Sequence, residues 1–298
     1  MRQPDRGVLF PDGVFRLCLD RLGPDEAAAR LVCVFGDHQS ETIPARWQPY
    51  FDRIEVHWAH APGADNPCHA AQHNMRFDLL DPGADLSLLC DADVAVMAPV
   101  TPLAQSLSEI PSLAGVIAHM HFPWGDRPRD PARDWPELAQ AVLGRDLARP
   151  YRYTLMPADR PPETPFYINF GMFAGPPALL AAFHARDMEL RPKVAAHLGE
   201  WWAPQVSLAL TCADLNVPLR ALPMRYNFPN DPRADRQYPD EMAQTVFLHY
   251  LRGQEFRREE VFADNSAFQA FLQKPMEGSN ALFQRFVAGV TGGRYPFD

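Results

Sequence analysis

Apolar and polar positions along this chain follow two rhythms. Short apolar runs of strand length recur at 30–35 (RLVCVF), 53–58, 86–90 and 113–118. Helix signals lie between them. Asp12 can cap a helix over 13–22, and 44–51 reads as a short helix. Asp65 or Asn66 can cap a helix with Pro67 in its first turn, running to Leu80 and stopping at Asp81-Pro82-Gly83. Thr101-Pro102 opens another, to about Glu109, and Val8-Leu9-Phe10 reads as the end of a further strand. This alternation predicts an α/β chain with a mostly parallel central sheet flanked by helices. In such sheets ligands bind beyond the carboxyl ends of the strands.

The second half is less regular. A strand is expected over 166–174, interrupted by Gly171, and helices over 177–188 and 203–215. Strands are expected over 217–226 and 246–250, and helices over 266–273 and 280–290. Three proline-dense stretches, 123–136, 150–165 and 223–239, read as long loops. Loops of that length often form lids or acceptor walls. The 298 residues and the absence of internal repeats fit a single domain over 1–298.

Composition narrows the function classes. Apolar residues make up 47%, enough for a sizeable core, while the net charge of −9 argues against nucleic-acid binding. No apolar run reaches the roughly twenty residues of a membrane span, so no integral membrane segment is expected. Met1-Arg2-Gln3-Pro4-Asp5-Arg6 does not read as a secretory signal. The five cysteines are scattered, odd in number and lack a Cys-x-x-Cys pair. This fits a reducing, cytoplasmic setting rather than a disulfide framework or a zinc ribbon. Lys193 and Lys274 are the only lysines, so a phosphate clamp would be built from arginine.

The run Leu86-Ser87-Leu88-Leu89-Cys90-Asp91-Ala92-Asp93-Val94-Ala95-Val96 carries the strongest chemical signal. Two acids spaced by one residue close an apolar strand, and apolar residues resume at once. Carboxylates there are costly unless donors or a cation satisfy them. Hard oxygen ligands suit Mg²⁺ or Mn²⁺, and such an ion with open positions can hold a diphosphate. Two solvated acids in a turn or cap are the plain alternative.

The order of elements resembles the nucleotide-sugar glycosyltransferases of the GT-A class. The nearest resemblance is to the retaining family that includes glycogenin and the lipopolysaccharide galactosyltransferases. The segment Leu88-Leu89-Cys90-Asp91-Ala92-Asp93-Val94-Ala95-Val96 matches that family's metal motif. Asn169-Phe170-Gly171-Met172-Phe173-Ala174 matches a second motif, and Gln205 sits where a helix-borne glutamine is found, with Pro204 in the place of an acid. Late in the chain, His249 in Val246-Phe247-Leu248-His249-Tyr250 takes the place of the histidine that completes the metal site.

The resemblance implies a single Rossmann-like GT-A domain, with a nucleotide-binding half over about 1–120 and a sugar- and acceptor-binding half over about 121–298. It implies Mn²⁺ or Mg²⁺ on Asp91, Asp93 and His249, with Asp91 on the metal, a donor ribose hydroxyl or both. Arg76, on the helix before the metal strand, is expected at the donor diphosphate or sugar, and Arg252, where a lysine is usual after His249, at the diphosphate. Asn169, Gly171 and Gln205 are expected at the sugar, with Asn227 a weaker candidate. The implied activity is transfer of a hexose from a nucleotide-diphosphate sugar, by family default a UDP-sugar, with retention. The acceptor, whether glycan, lipid-linked or small molecule, is not legible.

Two other readings stay open: a nucleotidyltransferase that makes the nucleotide sugar, and a non-catalytic binder on a decayed scaffold. Further histidines and aromatics have plainer readings. His69 and His73 have zinc-helix spacing but lack the glutamate of His-Glu-x-x-His. His119 and His121 follow a strand and read as site-lining or exposed loop residues. Trp201 and Trp202 read as packing residues, or as platforms for a sugar face.

Overall fold

The computed structural model describes residues 15–35, 43, 48–58, 77–156, 161–257 and 261–296. In chain order these form α1 (15–22), α2 (Pro24–Ala27), β1 (Leu31–Phe35), α3 (Gln48–Phe51) and β2 (Ile54–Trp58). A single 3-10 turn, Phe77–Leu79, precedes β3 (Ser87–Cys90) and β4 (Val94–Val96). Next come α4 (Thr101–Glu109), β5 (Leu113–Ile117), α5 (Pro131–Leu143), β6 (Tyr151–Arg152), β7 (Glu163–Thr164) and β8 (Ile168–Gly175). Then follow α6 (Pro177–Leu198), α7 (Ala203–Leu215), β9 (Leu219–Ala221), β10 (Phe228–Pro229), α8 (Pro232–Gln237) and α9 (Pro239–Ala243). The chain closes with β11 (Phe247–His249), α10 (Asn265–Gln273) and α11 (Gly278–Thr291). The elements belong to two compact units that interleave in sequence: residues 1–74, 91–102 and 224–298, and residues 75–90 and 103–223.

The second of these units carries a four-stranded sheet in the order β3-β8-β5-β9. β8 runs antiparallel to both β3 and β5, and β9 runs parallel to β5. The α/β class expected from the sequence therefore holds, while the sheet is only partly parallel. The long run 166–175 lies between β3 and β5 and reverses direction, which alternation of strands and helices alone does not reveal. At Gly115 a Cβ would lie 2.6 Å from Ile168 Cδ1, so glycine permits the close approach of β5 and β8 beside the register shift there. β3 is an edge strand and only half-buried at Leu88, Leu89 and Cys90. The fully buried run comes after the two acids, in Val94, Ala95 and Val96.

Two helices in this unit depart from the expected pattern. The stretch 123–136 was expected to be a loop, but α5 begins inside it. The Asp130 side chain accepts from Ala132 N, Pro131 fills the first turn, and Gly144 closes the helix in left-handed geometry. Trp135, Leu138, Ala139 and Val142 form its buried stripe. α6 runs ten residues past the expected stop at Met188, through Pro192. A buried Asp187–Arg191 pair spans the turn where proline removes a main-chain donor.

A buried polar network anchors the start of α5. Asp134 accepts from His121 Nε2 at 2.9 Å, from Arg133 and from the Asp130 backbone N–H, and Arg127 lies 2.8 Å away. His121 Nδ1 meets the Tyr153 hydroxyl at 2.7 Å, and that hydroxyl accepts from Trp135 Nε1. Burial lowers the His121 pKa to about 4, and the Asp134 carboxylate recovers only part of the shift. The folded state thus binds fewer protons than the unfolded chain between pH 6.5 and about 4. Stability is full above that window and declines as pH falls through it, by up to about 3 kcal/mol. Urea midpoints at stepped pH should show this decline, and it should shrink in His121→Gln. A flat profile in the wild-type chain would exclude a neutral buried His121.

The first unit holds the parallel pair β1-β2 and a three-stranded sheet in the order β10-β11-β4. β11 pairs parallel with β10 and antiparallel with β4. Behind β11, Tyr250 stacks on Phe283 of α11 at 4.5 Å, and Phe256 stacks on the same ring. Aromatic burial of this kind fixes the strand from one side. Glu26 of α2, nearly buried, accepts from Val100 N, Thr101 N and the Thr101 hydroxyl, holding the segment that follows β4. The expected strand over 8–10 and the bulk of the helix expected over 65–80 lie outside the described residues, which include only its last turn, Phe77–Leu79.

Candidate metal centre

Asp91 directly follows Cys90 of β3, and Asp93 directly precedes β4, with Ala92 and Asp93 in a turn. The antiparallel register sets His249 opposite Val94, and Tyr250 N donates to Asp93 O at 2.9 Å. In unbroken strands Asp93 would face away from Val94 and His249. The turn breaks that alternation, so the Asp93 carboxylate meets the imidazole. His249 Nε2 lies 3.1 Å from Asp93 Oδ1 and 3.7 Å from Asp91 Oδ2. One donor atom from each of the three residues lies within 4.8 Å of the others, the only such group of three among the described residues.

Burial is graded across the cluster. The His249 side chain is 5% exposed, that of Asp93 12% and that of Asp91 36%. The deep members are fixed by protein, and Asp91 opens toward solvent. His249 Nδ1 lies 3.1 Å from Asn227 Oδ1, and Asn227 is fully buried. Both ring nitrogens thus face acceptor oxygens, Nδ1 that of Asn227 and Nε2 that of Asp93; an imidazole giving its Nε2 lone pair to a cation would keep its proton on Nδ1 and donate it to Asn227. Burial lowers the His249 pKa, Asp91 opposes this, and Arg252 adds to it. An imidazole nitrogen converging with two carboxylates is an arrangement that a cation satisfies. Two carboxylates and one imidazole are also ligands that suit a hard or borderline divalent ion.

The loop after β11 is held by a second asparagine. Asn230 N donates to His249 O, Arg252 N donates to Asn230 Oδ1, and Asn230 Nδ2 donates to Arg252 O and to Asn280 Oδ1. The Arg252 guanidinium lies 3.5 Å from Asp231. Asn230 and Asn280 carried no motif in the sequence. A polar pair inside an otherwise apolar strand–helix contact was the one available signal.

The residues expected at the sugar, Asn169, Gly171 and Gln205, are described within the second unit. Gln205 Nε2 donates to Ile168 O at 2.8 Å, which brings Gln205 to the start of β8 beside Asn169. Asn169 Oδ1 accepts from Gly171 N at 2.9 Å, a local turn contact inside the strand. Arg76, His69 and His73 lie outside the described residues. His119 and His121 are buried in the second unit rather than exposed on a loop. Trp202 packs against the core there, while Trp201 is 57% exposed.

The fold is that of the GT-A class of glycosyltransferases. Among solved structures, the chain is similar to the apo WbbM bifunctional glycosyltransferase, with 11% identity over 83% of this chain and 44% of that one, at a TM-score of 0.50. The galactosyltransferase LgtC in complex with donor and acceptor sugar analogs aligns at 13% identity over 97% and 93% of the two chains, with a TM-score of 0.48. The glycosyltransferase GlyE of Streptococcus pneumoniae TIGR4 aligns at 13% identity over 99% and 64%, also at 0.48. At such identities the likeness establishes the fold alone, and this chain spans less than half the length of WbbM. No protein-family model and no curated protein matches the chain in sequence. No described helix is long and apolar enough to cross a membrane.

Proposed function

We propose that this chain is a metal-dependent glycosyltransferase that moves a hexose from a nucleotide-diphosphate sugar, by family default a UDP-sugar, to an acceptor whose identity is open. The observation that carries the reading is the convergence of Asp91, Asp93 and His249 in a GT-A fold. Mn²⁺ or Mg²⁺ held there would supply Lewis-acid stabilisation of charge on the leaving diphosphate. The protein's net charge of −9 makes such a cation more necessary, because its own field repels a diphosphate.

Each residue then has a task. Asp93 and His249 hold the ion, and Asp91 holds the ion, a ribose hydroxyl or both. Arg252 approaches the diphosphate from the loop that Asn230 braces, and Arg76 is assigned to the same group on sequence grounds. Asn169, Gly171 and Gln205 orient the sugar, and retention follows from the resemblance rather than from any measured geometry. The nucleotide is assigned to about residues 1–120, and the sugar and acceptor to about 121–298, in a single domain. A reducing, cytoplasmic setting belongs to the same reading, on the sequence pattern of five scattered cysteines without a Cys-x-x-Cys pair.

The test is release of UDP from UDP-glucose and UDP-galactose by the full chain, with Mn²⁺ or with EDTA. Release in Mn²⁺ that stops in EDTA is expected. Release that EDTA leaves unchanged would remove the metal from the mechanism. Pyrophosphate release from UTP and a sugar 1-phosphate would point to nucleotidyl transfer. Calorimetry showing no binding of UDP with Mn²⁺ would favour a non-catalytic scaffold.

A further inference from the structure

We infer that Asn227 is a positioning residue for the metal centre. It holds the His249 ring in the one tautomer and orientation that turns Nε2 toward Asp91 and Asp93. The inference rests on the metal reading above and extends it to a residue beyond the ion's own ligands.

The main chain of His249 is fixed on both flanks. Its carbonyl accepts from Asn230 N at 3.1 Å, and the next amide, Tyr250 N, donates to Asp93 O at 2.9 Å. The strand register with β4 and β10 fixes the Cα position. What the backbone leaves open is the imidazole itself: two side-chain torsions and the choice of protonated nitrogen. The Nδ1 contact with Asn227 Oδ1 at 3.1 Å orients the ring and gives the Nδ1 proton an acceptor, which offsets the pull of Asp93 Oδ1, 3.1 Å from Nε2, on that proton. Asn227 is itself held, because its backbone N–H donates to Met224 O at 3.0 Å, closing a second 3-10 turn, Met224–Tyr226, that precedes β10. It is fully buried, so water does not compete for the contact.

The chemistry explains why the acceptor matters. If Nδ1 lost its acceptor, the proton could move to Nε2, where it would donate to Asp93 and block the ligand lone pair. Acceptors on the far nitrogen of a ligating histidine typically change metal affinity by 10- to 100-fold when removed. Asn227→Leu keeps the volume and deletes the acceptor. Asn227→Asp keeps an acceptor at the same position and adds charge.

Mn²⁺ affinity, read by electron paramagnetic resonance on the full chain without nucleotide, tests this, alongside the metal-free melting temperature. The expected result is 10- to 100-fold weaker binding in Asn227→Leu and wild-type or tighter binding in Asn227→Asp. Wild-type affinity in a folded Asn227→Leu overturns the inference. So does an Asn227→Asp that weakens binding tenfold, which remains decisive if the leucine variant fails to fold. If the wild-type chain binds no Mn²⁺, the metal reading itself has failed and the inference falls with it. That result differs from wild-type binding left unchanged by the substitutions.

Discussion

Asp93→Ala is expected to lower kcat/KM for UDP-sugar turnover on the order of 10³-fold while the fold survives. Asp93 is the more deeply buried of the two acids, and its carboxylate is the one nearest the His249 ligand nitrogen. Without it, His249 and Asp91 remain, and Asp91 is the more exposed. The residual pair should hold a divalent ion weakly and leave the diphosphate charge poorly compensated. The fold should tolerate the change, because removing one of two neighbouring carboxylates relieves repulsion in the metal-free protein. Thermal shift separates the effects. Mn²⁺ should raise the wild-type melting temperature by mass action and leave that of Asp93→Ala unchanged. Turnover in Asp93→Ala close to wild type would show that the ion, if bound, does not act at this cluster.

That cluster was readable because each member carries a local mark. Two acids spaced by one residue inside an apolar run are visible without any fold, and so is a histidine inside a late strand. Asn227 is only a weak sugar candidate in the sequence, and nothing local marks it as a partner of His249. Its contact with His249 spans 22 residues and depends on a parallel pairing only two residues long, too short to leave a periodic trace. The sheet direction was also hidden, since β8 reverses between two strands that the helix–strand alternation suggests run parallel. Proline density misled in one stretch. The dense run before Trp135 suggested a loop, although Asp130-Pro131 is a helix start and the apolar stripe behind it has helical spacing. The pattern places the end of α6 at Met188, yet buried side-chain contacts of Asp187, Leu190, Arg191 and Val194 carry the helix on to Leu198.

Those contacts give the largest expected effect on stability. Asp187 is fully buried on α6 and accepts from Arg191 Nε at 2.8 Å, from the Ser207 hydroxyl at 2.6 Å and from the Thr211 hydroxyl at 3.4 Å. One carboxylate therefore satisfies a buried guanidinium four residues on and two hydroxyls on α7. Asp187→Ala should destabilise the protein by about 3–5 kcal/mol, because it takes the carboxylate away from a buried guanidinium and from two hydroxyls on α7. The loss is chiefly the desolvation cost of the buried donors that lose this acceptor rather than the net worth of the pair. Replacing both ends with apolar residues of similar volume, Asp187→Leu with Arg191→Met, should then cost less than Asp187→Ala alone. Additive losses across that double-mutant cycle, measured by urea unfolding, would contradict this account and point to the hydroxyl contacts with α7 instead.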